Sequence, residues 1–175
     1  MEGAYRPEVW HDLYVMLGGA SAALTGMLFV ALTLHLNEIM GSPPLRRRVA
    51  NNFFALALII LMAALQLMPQ RQEYSGIEII AINIFALYLP GGLLLRFRHR
   101  LPKDAFVREA VSLVGFGGAL AGGALLLTAS MAGQALLGMF LVAFGNLIVL
   151  FLVISNAWSI MAGAYRDESL PKIAD

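Results

Sequence analysis

Residues 13–36 read LYVMLGGASAALTGMLFVALTLHL, about twenty-four positions without one Asp, Glu, Lys or Arg. A helix rises about 1.5 Å per residue, so this stretch reaches roughly 36 Å, enough to cross a hydrocarbon core of about 30 Å with some tilt. Four more runs of the same kind follow. The predicted helices cover about 13–40, 45–68, 77–95, 104–131 and 135–164, which makes residues 1–175 a single all-α integral membrane domain with five transmembrane helices. Composition agrees: 59% of the chain is hydrophobic and 13% charged, far from soluble usage.

The charge pattern predicts the threading. Of the twelve Lys and Arg residues, the three connections predicted on one side hold ten and those on the other hold two. The positive-inside rule therefore expects the N-terminus outside and the C-terminus in the cytoplasm. The cytoplasmic cations gather in Arg46, Arg47 and Arg48 and in Arg96, Arg98, Arg100, Lys103 and Arg108. Three cations in the first turn of a helix oppose its dipole, so helix stability does not explain Arg46–Arg48, whereas membrane orientation does, and both cationic clusters are expected to bind anionic lipid headgroups. Acidic Glu2, Glu8 and Asp12 precede the first run in place of a basic region, and the run is too long for a cleavable signal core, so the first span is expected to remain.

Small residues mark the expected packing faces. Gly18, Ser21, Ala22 and Thr25 form a stripe on the first span, Gly115, Gly118 and Gly122 a seam on the fourth, and Gly145 another on the fifth. Polar groups well inside the spans are Thr25, Asn83, Asn146 and Asn156, each of which must be paired or wetted. Asn52 and Gln66 lie on nearly one face of the second span, with apolar Ile59 between them. Pro90, Gly91 and Gly92 interrupt the third span, either as a kink or as a broken helix whose exposed backbone could bind an ion.

Trp10, Asp12 and Tyr14, followed by GGASAALTG and FVAL, resemble the first helix of a group of small, uncharacterised bacterial membrane proteins. The resemblance implies a multi-pass protein of the bacterial inner membrane and assigns no activity.

Catalytic chemistry finds little to work with. There is no Cys, which removes disulfides, thiolate catalysis and Cys-ligated metals, and the three His residues lack the close helical spacing of a zinc site. Two function classes remain. One is a homo-oligomeric channel or transport protein whose path is lined by some of Thr25, Asn83, Asn146 and Asn156, with weak anion preference from its Arg-rich cytoplasmic mouth. The other is a noncatalytic subunit or regulator of a larger membrane complex. Expected partners are the bilayer, anionic lipids and further copies of the chain, with no cofactor, metal or nucleic acid.

Overall fold

A computed structural model describes residues 7–97 and 103–168, with most of their side chains. Among these residues the fold is entirely helical. A short 3-10 turn, Pro7–Trp10, leads into α1 (His11–Leu34), followed by α2 (Leu36–Gly41), α3 (Pro43–Gln66), α4 (Gln72–Phe97), α5 (Lys103–Thr128) and α6 (Ala132–Glu168). Four of them, α1, α3, α5 and α6, are long and apolar enough to cross a membrane.

Neighbouring long helices run antiparallel. Gly18, early in α1, meets Ala63, late in α3, and Ser75 at the start of α4 bonds Gln66 at the end of α3. Gly76 of α4 lies against Leu127 of α5, and Gly122 of α5 against Gly138 of α6. The most extensive packing joins α5 to α6 and to α4; α3 rests on α6 and α4, and α1 covers α3. One end of the bundle carries the connection at residues 67–71 and the turn at 129–131, while the other carries α2, Pro43 and the cationic starts of α3 and α5. The core runs through all five long helices, with Leu17, Leu56, Ile59, Ile79, Leu126, Val142 and Val149 almost fully enclosed.

Several boundaries differ from the sequence expectation. The first helix does not continue to Met40 but breaks at His35, whose φ of −114° and ψ of 29° leave the helical region. Thr33, His35 and Asn37 are weak helix formers in succession, and the break turns Ile39 inward against Val49 and Ile160. Gly41, Ser42 and Pro43 then separate α2 from α3, with Pro43 in the first turn, where its missing N–H costs nothing. At the opposite end α4 starts at Gln72, five residues before the expected position at 77. The backbone of α4 stays helical through Pro90, so it adopts neither the unwound form nor the early end at residue 95. With 37 residues, α6 exceeds the expected 135–164 and reaches about 55 Å, well beyond a hydrocarbon core.

Candidate functional site: buried amides and glycine seams

The four polar residues expected to line a path lie on three helices, and three of them bond within their own helix. The Thr25 hydroxyl donates to the Ser21 carbonyl at 2.7 Å. The Asn83 amide donates to Ile79 O at 2.8 Å, and the Asn146 amide to Val142 O at 2.9 Å. Each bond closes on the carbonyl four residues earlier, which already serves the helix ladder and has a second lone pair to offer. Burial is close to complete for both amides, with 2% of Asn83 and 5% of Asn146 exposed. Asn156 differs. Its side-chain N–H donates to Oδ1 of Asn52 at 3.4 Å, a long bond between α6 and α3 near the cationic end.

The densest side-chain polar network among the described residues surrounds the connection between α3 and α4. Where α3 ends and α4 begins, Ser75 Oγ donates to Gln66 Oε1 at 3.1 Å, with Ser75 fully enclosed and 5% of Gln66 exposed. Gln70 Nε2 reaches both Leu65 O and Glu78 Oε2, at 3.1 and 2.9 Å. Gln72 Nε2 crosses to α5 and donates to Leu126 O at 2.6 Å and Ala129 O at 3.4 Å, occupying carbonyls that the end of that helix leaves without an N–H partner. This network explains the early start of α4: residues 72–76, expected in a polar loop, are held as a helical turn by partners on α3 and α5. The signal was the run of Gln, Ser and Glu in QLMPQRQEYSG, dense in amides between two apolar spans.

Buried donors without a protein partner are Ser21 Oγ, Asn52 Nδ2 and Gln66 Nε2. Asn52 and Gln66 are separated along α3 by Ile59 and Ala63, both almost fully enclosed, and Ser21 lies on α1, so the two amides are isolated polar points with apolar packing between them.

The glycines of α5 are resolved into distinct roles. A Cβ placed on Gly115 would stand 2.7 Å from Val149 Cγ2 and 3.0 Å from Gly145 O; one on Gly122 would stand 2.5 Å from Gly138 O and 2.9 Å from Val142 N. One on Gly145 would collide with Gly115 O. Gly123 faces the other way, into Ile79 of α4. Gly118, expected in the same seam, is not part of it, since nothing stands within 4 Å of its Cβ position. At 100° per residue Gly118 falls about 60° from Gly115 and within about 20° of Val111, on the outer flank of α5, and buried Ala119 takes the contact with Gly145. On α1, Gly18 faces Ala63 of α3 and Ser21 is fully enclosed, whereas Ala22 is exposed.

The cations expected at headgroup level that the structure describes sit at one end of the bundle, while Arg71 sits in the connection at the other. Arg46 and Arg47 are exposed, and Arg48 and Arg108 half-buried, at the end of the bundle where α3 and α5 begin. Arg96 and Lys103 lie on the helical backbones of α4 and α5, while Arg98 and Arg100 fall outside the described residues. Among the described residues no three His, Cys, Asp or Glu side chains group as metal ligands, and His11 makes its 3.2 Å contact with Asp12 in the open. His35 lines a narrow apolar cleft with Ile39, Val49 and Ile160. No protein family, curated protein or solved structure matches this chain.

Proposed function

We propose that the protein is a five-span integral membrane protein, with α4 as the fifth span, the N-terminus outside and the C-terminus cytoplasmic. The ten-to-two division of cations and their collection at one end of the bundle support that orientation. The likeness of the first span to bacterial membrane proteins supports a bacterial inner membrane.

Within that membrane we read it as a noncatalytic subunit that docks another membrane helix. The observation that carries this reading is the exposure of α1. Only 17% of its apolar stretch is buried, against 44, 39 and 50% in α3, α5 and α6. Gly19, Ala22 and Gly26 fall within about 60° of one line on its outer face, and nothing stands within 4 Å of either glycine's Cβ position. Small residues there allow close backbone approach, which drives helix association where lipid tails remove the hydrophobic advantage. The chain has no native Cys, so single substitutions Gly19→Cys, Ala22→Cys and Gly26→Cys report neighbours without background. Cross-links from Gly19→Cys and Gly26→Cys to a second polypeptide, absent from the inward-facing Gly18→Cys, are the expected result. Equal cross-linking from all positions contradicts the reading.

The homo-oligomeric channel with weak anion preference is the second reading, and the exposed Arg46 and Arg47 at the mouth of the bundle favour it. The own-helix bonds of Thr25, Asn83 and Asn146 weigh against it, because groups satisfied in this way need no water path. Purified protein in liposomes separates the two: the subunit is silent, whereas the channel conducts.

A further inference from the structure

The break at His35 gives the connection between α1 and α3 a structure of its own. α2 (Leu36–Gly41) is bounded by His35, at φ −114° and ψ 29°, and by Ser42, at φ −114° and ψ 102°, so neither end continues as regular helix. Through Ile39, 3% exposed, it packs on Val49 and Ile160, with Leu45 beside them. Val49 lies four residues inside the apolar stretch Leu45–Gln66, about 6 Å from its end. α2 is therefore held at the depth of the first turn of that stretch and does not stand clear of it.

Only one side of α2 is taken up by that contact. Leu36 and Met40 are 45% and 51% exposed and lie about 40° apart on the helical wheel, with Ile39 about 60° from Leu36 and the exposed Asn37 about 160° from Ile39. The apolar arc thus runs from the bundle outward, and the amide lies on the far side. Arg46 and Arg47, both exposed, precede Val49 by three and two residues on α3, about 3–5 Å further out than the level of α2. Residues 35–48 hold three Arg against one acid, Glu38. Apolar side chains at one depth and cations one step outward follow the order of acyl chain and phosphate in a leaflet.

Resting on the membrane reading above, we propose that α2 and the start of α3 form a binding surface for anionic phospholipid of the cytoplasmic leaflet, with Leu36 and Met40 in the upper acyl-chain region and Arg46 and Arg47 on the phosphates. Depth and charge select this occupant together. A water-soluble acidic segment would meet the arginines but does not reach side chains held below the end of a span. A second copy, related by an axis along the membrane normal, would set the same excess of arginine against itself. A zwitterionic lipid accommodates Leu36 and Met40 equally well and leaves the excess positive charge uncompensated. The surface also accounts for three cations at a helix N-terminus, where the dipole opposes them.

The test places an NBD fluorophore on single cysteines, which the chain otherwise lacks, at Met40→Cys, at Asn37→Cys and, as a mid-span control, at Phe144→Cys, where the native ring is 63% exposed. Each protein is reconstituted in phosphatidylcholine vesicles containing nitroxide-labelled phosphatidylglycerol or phosphatidylcholine, with the nitroxide either near the glycerol or deep in the acyl chain. The Met40 label is expected to be quenched more by the shallow nitroxide than by the deep one, and more than the Asn37 label. At equal mole fraction, shallow phosphatidylglycerol is expected to outcompete shallow phosphatidylcholine at that label with a local affinity ratio of roughly fivefold, the contribution of one basic residue near an anionic surface. Arg46→Gln together with Arg47→Gln, both at exposed positions, brings the ratio toward one with helicity unchanged. Equal quenching by the two headgroups before that substitution removes the anionic selection and overturns the proposal. A ratio that survives the double substitution assigns the attraction to other cations and also overturns it. So does a Met40 label quenched no more than the Asn37 label, since α2 then presents no apolar face to the leaflet. A Met40 label shielded from every lipid, while the Phe144 label is quenched by the deep nitroxide, means that protein covers α2 and overturns the proposal as well. A Phe144 label that no lipid quenches refutes the membrane reading itself.

Discussion

Gly122→Ala adds one methyl group at one of the tight points of the α5–α6 contact. Its carbon would stand 2.5 Å from Gly138 O, 2.8 Å from Val142 Cγ2 and 2.9 Å from Val142 N. Two of the three neighbours are backbone, so no side-chain rotation can relieve the overlap. The helices have to separate by about 0.5–1 Å to restore ordinary contact, and a gap of that size forfeits a quarter to a half of each dispersion well at 0.1–0.2 kcal/mol per atom pair. Spread over the largest helix interface in the fold, this gives a destabilisation of about 2 kcal/mol, inside the range of about 1–3 kcal/mol for overpacking. That corresponds to a roughly 30-fold fall in the folded-to-unfolded ratio. The internal control is Gly118→Ala, one turn earlier on the same helix, where nothing stands within 4 Å. The added methyl there replaces the floppier glycine backbone and is expected to be neutral or stabilising by up to about 1 kcal/mol. Reversible unfolding of both variants in mixed micelles of denaturing detergent, followed by circular dichroism, reads the difference. Equal midpoints for the two variants would refute the seam as drawn.

Gln72→Ala removes the donor that serves Leu126 O and Ala129 O, with an expected loss of about 1 kcal/mol and faster amide exchange confined to the last turn of α5 and the first of α4. Exchange that speeds up uniformly would show that the capping bond is not local in its effect. Asn83→Leu removes only an own-helix bond, so stability is expected to change by less than about 1 kcal/mol. A double-mutant cycle of Asn52→Leu with Asn156→Leu is expected to return a coupling of roughly 0.6 kcal/mol, the usual size for an interhelical polar contact in a bilayer. Zero coupling would mean that the 3.4 Å pair contributes no more than packing. Reporter fusions should be active outside at Met1 and in the cytoplasm at Asp175; the reverse pattern ends the orientation argument.

What the sequence determined by itself follows from local physics. In hydrocarbon a backbone must satisfy its own hydrogen bonds within a short segment, so an apolar run of sufficient length specifies a helix without reference to any other part of the chain. Charged residues between such runs specify a side by simple addition. The apolar stretch 13–36 and the grouping of cations were legible for these reasons. Tertiary structure decided which of several small residues face a neighbour. Gly115, Gly118 and Gly122 look alike in a periodic pattern, yet a rotation of about 60° puts one in open space and the others against the α6 backbone. It also decided the start of α4, because the carbonyls that hold Gln72 belong to residues more than fifty positions away. The amides followed the same division: their burial depth was readable from position, but whether Asn146 turns to Val142 on its own helix or Asn156 reaches Asn52 across to α3 depends on distances that exist only once the helices have packed.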